Sequence, residues 1–317
     1  MSGLVVAFCG HVLDARGTGR SIFDYADLNE SMLGNRSLIL VNDAMDNRAG
    51  TVDRLARRFP DGICHYRDPR EIDGIIRARA VDVFFCVKSG DPDDYHRHVH
   101  ACRTANHGVF GGQAHGDRFA WVSPWLAEKY GGECVPPIVR RPNPRLGDLR
   151  AELGIPAGEF VVGRHGGWPE FDLPQAQEAV RKLARGGMRF VFLSTEPFSA
   201  EPTVAFLPVT DDLSRVDQFV YTCDVMLHGR RRGETFGMSC AQFNAANRRV
   251  LAWGPAAERG HFHVFGEGIV PYLGVDDLCM QLELMRDFPH MRRARDVVTD
   301  RFSAEEVMAK FKRVFLD

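Results

Sequence analysis

At 317 residues the chain exceeds what one ordinary core organises, so two domains of about 150 residues are expected, with the cleft between them as the default ligand site. Its 44% hydrophobic and 26% charged content is that of a soluble globular protein, no run approaches the roughly 18 apolar residues of a membrane span, and a formal net charge of −2 supplies no general attraction for nucleic acid. Eight cysteines stand at 9, 64, 86, 102, 134, 223, 240 and 279 without Cys-x-x-Cys spacing, which favours a reducing cytoplasm over a disulfide framework.

The first apolar run, residues 4–9, is short and has no basic flank before it, so it reads as a strand and not as a signal peptide. Residues 37–41, 63–66 and 81–87 are further apolar strands, each followed by a polar turn and helical periodicity. Ile22, Tyr25, Ala26, Asn29 and Leu33 mark a helix after a loop over residues 10–20. This βαβ rhythm predicts a parallel sheet with crossover helices. A weak strand at Val109-Phe110 leads to Ser123-Pro124, an N-cap and first-turn pair for a helix carrying Leu126 and Tyr130.

The proline-rich run over residues 136–144 continues neither a helix nor a central strand and reads as an interdomain linker. The rhythm then restarts. Strands are expected at 160–163, 189–193, 204–207, 225–228 and 249–253, with helices over 175–185 and between 213 and 221. A last helix, 303–315, opens on a Ser-Ala-Glu-Glu cap. The expected fold class is α/β, with two doubly wound Rossmann-like domains.

The most informative stretch is GETFGMSCAQFNAAN, from Gly233 to Asn247. Gly233 and Gly237 let the backbone approach a ligand, and the N–H groups of a helix starting near Gly237 suit a phosphate. Glu234 just ahead would repel that phosphate, so its natural partners are neutral hydroxyls such as those of a sugar. Together these features suggest a nucleotide-sugar site; the alternative is a capping carboxylate and a plain turn.

The same residues resemble the glycosyltransferases of the two-Rossmann GT-B type, and within them the retaining family 4 enzymes, over nearly the whole chain. Glu234-Thr235-Phe236-Gly237 matches the family's Glu-x-Phe-Gly turn, and the resemblance implies that Glu234 contacts the donor sugar. The family's second glutamate, which accepts from the ribose hydroxyls, is here Gln242, an uncharged acceptor. Arg164, in Val161-Val162-Gly163-Arg164-His165-Gly166-Gly167, fits the arginine placed against the donor diphosphate. The lysine that normally accompanies it is missing before Asp172, and one of Arg230, Arg231 or Arg232 is the substitute. Gly17-Thr18-Gly19-Arg20 is similar to the family's glycine loop. His115, in His115-Gly116-Asp117, is similar to the histidine that faces the transfer centre, the alternative being an ordinary loop histidine. Phe288-Pro289-His290-Met291-Arg292-Arg293 and the segment from Arg301 onward look like the family's last two helices.

The implied catalytic residues are His115, Arg164 and Glu234. The implied donor-binding set is Gly17, Gly19, Arg164, Gly166, Arg230 and Arg232 with Glu234, Thr235, Phe236, Gly237 and Gln242. The implied domains are residues 1–141 on the acceptor side, 142–302 on the nucleotide-sugar side and a helix, 303–317, returning to the first, the two domains facing across a cleft. No cofactor or metal is implied. Asp91-Pro92-Asp93-Asp94 reads as a helix cap favoured by the helix dipole, not as a metal motif. His96, His98 and His100 put two imidazoles at i and i+4, read as a solvated helix face in preference to a zinc site. Trp121 and Trp125 are read as packing on the interdomain side, the alternative being that they stack on sugars. The expected function is a cytoplasmic glycosyltransferase that moves a sugar with retention from a nucleotide-diphospho-sugar to an acceptor (small molecule, glycan or lipid-linked). The alternatives are a nucleotide-sugar epimerase or hydrolase on the same fold, or a non-catalytic binding protein.

Overall fold

A computed structural model describes residues 3–14 and 17–317. The chain splits into two compact units, Met1–Ile138 with Phe302–Asp317, and Val139–Arg301, the break falling inside the proline-rich segment.

The first unit runs β1 (Val5–Gly10), α1 (Gly17–Ser31), β2 (Arg36–Asn42), α2 (Ala49–Arg58), β3 (Ile63–Tyr66), α3 (Ile72–Ala78) and β4 (Val83–Gly90). It continues with α4 (Asp94–Arg97), β5 (Arg103–Gly112), β6 (Arg118–Trp121), α5 (Pro124–Tyr130) and β7 (Glu133–Cys134). The seven strands form one parallel sheet in the order β3-β2-β1-β4-β5-β6-β7. Strands covered on both faces must be apolar almost continuously, and β1 and β2 are buried along nearly their whole length.

The second unit runs β8 (Val161–His165), α6 (Pro174–Arg185), β9 (Arg189–Leu193), β10 (Val204–Leu207), α7 (Leu213–Thr222), β11 (Val225–His228), β12 (Gly233–Glu234) and α8 (Met238–Ala245). Then follow β13 (Arg249–Trp253), β14 (Glu258–Arg259), α9 (Gly260–Phe265), β15 (Ile269–Tyr272) and α10 (Val275–Asp287). Its parallel sheet has the order β10-β9-β8-β11-β13-β15, and β12 pairs separately with β14. Phe160, Val180, Phe190, Phe192, Leu227 and Leu282 are in its core. The chain ends with α11 (Ala304–Phe311), which belongs to the first unit: Phe311 packs against Tyr25 and Phe85 at 5.0 Å each.

Several expectations are corrected. The first helix begins at Gly17 and ends at Ser31, so Gly17 and Gly19 form its first turn and Leu33 lies beyond it; Ala15 and Arg16 of the expected loop lie outside the described residues. Val109-Phe110 is the end of a ten-residue strand whose start, Arg103-Thr104-Ala105-Asn106-His107, is too polar to read as one. Asn106 and His107 are nevertheless fully buried there, and His107 Nε2 lies 2.7 Å from the Val135 carbonyl. The histidine run does not share a helix face, because α4 is a single turn ending at Arg97. Trp121 is a core residue of the first unit, its Nε1 donating to the Gly131 carbonyl at 2.7 Å. Phe288-Pro289-His290-Met291-Arg292-Arg293 holds a short 3-10 turn, Pro289–Arg292, after α10, and the last helix turns π-helical at Lys312–Leu316. Ser123, Asp93 and Ser303 do cap their helices, accepting from the N–H groups of Leu126, Tyr95 and Glu306.

Candidate functional site

In a doubly wound sheet the crevice for a ligand opens at the carboxyl ends of the two strands where the order reverses direction. In the second sheet these strands are β8 and β11, which end at His165 and His228. The Gly233–Gly237 turn follows β11 directly, so its glutamate falls at the switch point.

Glu234 anchors a continuous chain of polar contacts. His228 Nε2 lies 3.1 Å from Oε1, and Arg230 donates to Oε2 at 3.1 Å. The other end of the Arg230 guanidinium is 3.0 Å from Glu170, in the loop after β8. Burial alone would raise the pKa of Glu234, but the His228 hydrogen bond, followed by the electrostatic pull of His228 and Arg230, outweighs it and holds the carboxyl at about 2. Among the described residues each carboxylate oxygen has one protein donor, so the ionised group keeps lone pairs that can accept from hydroxyls.

The backbone around Glu234 is shaped by glycines that admit no substitute. Gly233 and Gly237 have φ of 81° and 93°, in the left-handed region. A Cβ on Gly233 would stand 2.1 Å from the Glu258 carbonyl, and one on Gly260 would stand 1.8 Å from the Thr235 carbonyl. The short pairing of β12 with β14 is the cause of both approaches. Gly237 is the N-cap residue of α8, whose first-turn N–H groups have no partner inside the helix. Thr235 and Phe236 are buried in the turn. Gln242 is buried in the interior of α8.

Arg164 is 4% exposed in β8 and spends its donors on Thr195 Oγ1 at 2.6 Å, the Ser194 carbonyl at 3.3 Å and the Gly167 carbonyl at 3.1 Å. Burial lowers its pKa to about 10, against the pull of Glu170 and Glu234. Gly166 passes directly over it, since a Cβ there would lie 2.8 Å from the guanidinium. The backbone N–H of Arg231 donates to Asp172, and the guanidinium of Arg232 pairs with Glu258 at 3.2 Å. The structure thus groups Arg164, Arg230, Glu234 and Gly237 at one switch point, whereas Arg232 pairs with Glu258.

Three residues of this site escaped the sequence reading: His228, Glu170 and His261. His228 carried a signal, a polar residue closing the apolar strand Val225-Met226-Leu227 just before a glycine turn. His261 is fully buried, and burial, followed by the charge of His228, lowers its pKa to about 3, so it is neutral; its Nδ1 lies 3.4 Å from the Glu234 carbonyl.

The first unit reverses strand order between β1 and β4, and there the crevice is lined by its own contacts: Lys88 with Asp93, Cys9 with Tyr66 at 3.4 Å, and Asn42 with Tyr95 at 3.1 Å. Gly19 is required for packing, because a Cβ would meet the Asp14 carbonyl at 2.1 Å. His115, in the β5–β6 connection, packs against His96 with ring centroids 4.6 Å apart and has Nδ1 2.7 Å from the Gln113 carbonyl. Nδ1 therefore carries the proton, and Nε2 is a buried acceptor with no hydrogen-bond partner among the described residues. Burial, and then nearby Lys88, keep the ring neutral. Asp117 of the same motif is structural, accepting from the Thr104 N–H and hydroxyl. Among the described residues no group of three or more His, Cys, Asp or Glu could hold a metal ion, and no helix is long and apolar enough to cross a membrane.

No family model and no curated protein matches the sequence. Solved structures do match. HepE from Anabaena, in complex with UDP-glucose, superimposes with a TM-score of 0.73 at 12% identity over 98% of each chain. A glycosyltransferase from Rickettsia africae gives 0.64 at 12% identity, covering 99% of this chain and 95% of that one. A protein assigned as a UDP-N-acetylglucosamine 2-epimerase from Listeria monocytogenes gives 0.64 at 13% identity, covering 100% and 97%. The chain therefore has the GT-B fold of two Rossmann-like α/β domains, shared with these proteins.

Proposed function

We propose that the protein is a glycosyltransferase that takes its sugar from a nucleotide-diphospho-sugar held by the second unit. The observation that carries this reading is Glu234: an ionised carboxylate with one donor on each oxygen among the described residues, at the switch point of a doubly wound sheet and beside the start of α8. In this reading the carboxylate receives donor-sugar hydroxyls and the first turn of α8 receives the diphosphate. Arg164 and Arg230 supply positive charge as negative charge builds on the leaving group. The likeness to HepE with UDP-glucose supports a uridine nucleotide. We assign the acceptor to the first unit, with the neutral Nε2 of His115 as the group that orients its hydroxyl. The proposed course is retention: the acceptor oxygen bonds to the anomeric carbon as the bond to the diphosphate breaks, and the departing diphosphate takes the acceptor proton. The reaction is proposed to need no metal and to take place in the cytoplasm.

The test is a calorimetric panel of UDP, GDP, dTDP and ADP with their common sugars, followed by turnover with and without acceptors. Binding of one nucleotide-sugar, weakened in Glu234→Gln, is expected. Failure of every nucleotide-sugar to bind would overturn the reading. The likeness to the Listeria protein motivates a second reading, epimerisation or hydrolysis. Consumption of donor at full speed without acceptor would select it.

A further inference from the structure

The opposite end of the second sheet, where β8, β11 and β13 begin, carries a concentration of arginine that the proposed reaction does not use. Asp224, just before β11, accepts from the Val161 N–H at 2.9 Å and from Arg150 at 3.0 Å, and Arg292 lies 3.6 Å from its other oxygen. Arg248, just before β13, forms an isolated antiparallel bridge with Arg293. Among the described residues neither Arg248 nor Arg293 has a carboxylate at ion-pair distance, and Arg248 Nε is buried with no hydrogen-bond partner. Arg150 and Arg292 thus flank Asp224 while also donating to the Glu159, Met285 and Arg286 carbonyls, and Arg248 and Arg293 stand beside them with no carboxylate of their own among the described residues.

A half-buried cation is stable only when paired, and an unpaired buried donor costs desolvation. Burial, and then Arg293 with a smaller part from Arg150, lower the pKa of Arg248, while Asp224 and Cys223 pull the other way. Guanidinium groups suit the tetrahedral oxygens of phosphate, which accept two parallel N–H bonds. We propose that Arg248, Arg293, Arg150 and Arg292 form a second binding site, for a small phosphate-bearing anion, at the end of the sheet opposite Glu234. The anion completes the charge balance that Asp224 leaves open.

The test is urea unfolding of the full chain with and without inorganic phosphate at constant ionic strength. Phosphate salts stabilise any folded chain by exclusion from its surface, so the comparison is with Arg248→Gln/Arg293→Gln. The native chain and Glu234→Gln should gain midpoint on adding phosphate, while the double variant should gain less and start from a higher midpoint without phosphate because like charges have been removed. Calorimetry should show phosphate binding weakened about tenfold or more in the double variant, from the loss of charge-assisted hydrogen bonds. Should the double variant not fold, Arg293→Gln alone, at an exposed position, should lower the phosphate response in the same way. Sedimentation with phosphatidic acid vesicles separates the sources: vesicle binding lost in the variant assigns a lipid headgroup, and a phosphate response without vesicle binding assigns a free phosphate compound. A phosphate response equal in native and variant chains, or absent from both, overturns the proposal.

Discussion

Acidification combined with Glu234→Gln tests the electrostatic heart of the site. The Glu234 carboxyl is held at about 2 against an ordinary 4.5, and its side chain is 20% exposed, so solvent screens the interaction only in part. At about 1.4 kcal/mol per pH unit this difference corresponds to roughly 3 kcal/mol of folding stability. A depressed carboxylate contributes fully above its unfolded pKa, and the contribution is lost as pH falls from 4.5 through about 2. Roughly 2 kcal/mol of it should be gone by about pH 3. Urea midpoints of the native chain and of Glu234→Gln, measured from neutral pH to about pH 3, give the comparison. The native chain should lose roughly 2 kcal/mol more than the variant over the acid half of that range. Parallel losses in the two proteins would refute the claim that His228 and Arg230 hold this carboxylate ionised.

Three further outcomes are expected. His261→Gln should flatten the stability profile between about pH 6.5 and 3, because a histidine buried in its neutral form favours folding above its unfolded pKa and loses that advantage as pH falls; urea titration across this window reads it. Gly260→Ala should cost more than about 2 kcal/mol and abolish nucleotide-sugar binding, since its methyl group would overlap the Thr235 carbonyl; thermal unfolding and calorimetry measure both. Gln242→Glu should tighten nucleotide binding about tenfold if its side chain faces the ribose, as one charge-assisted hydrogen bond replaces a neutral one; unchanged affinity would remove Gln242 from the site.

Strands were legible wherever burial on both faces demanded continuous apolar sequence, as in β1, β9, β11 and β13. They were not where polar residues are satisfied across the fold: Asn106 and His107 disguise β5 because their partners, the carbonyls of His115 and Val135, come from later segments. Helix α1 started earlier than its apolar spacing suggested because two glycines in its first turn mimic a loop. The same division holds at the site. The Glu234 turn announced itself through Gly233 and Gly237, whose backbone geometry is a local property. Glu170, His228 and His261 gain their significance only from convergence of β8, β11 and α9 in space, which no spacing rule encodes. Arg164 was legible as a strand-end arginine, whereas the carbonyls and hydroxyl that absorb its donors were not.

The pairing of β12 with β14 has a consequence for anyone seeking to alter what this protein recognises. Gly233 lies against the Glu258 carbonyl and Gly260 against the Thr235 carbonyl, so two stretches of chain about 25 residues apart are interlocked backbone to backbone. Neither can accept a side chain, an insertion or a deletion at those points without displacing the other. Random variation will therefore find this loop rigid to single changes. Libraries aimed at new sugar preference should leave positions 233, 237 and 260 alone and vary the neighbours whose backbone is not interlocked, such as Ser239 and Glu170.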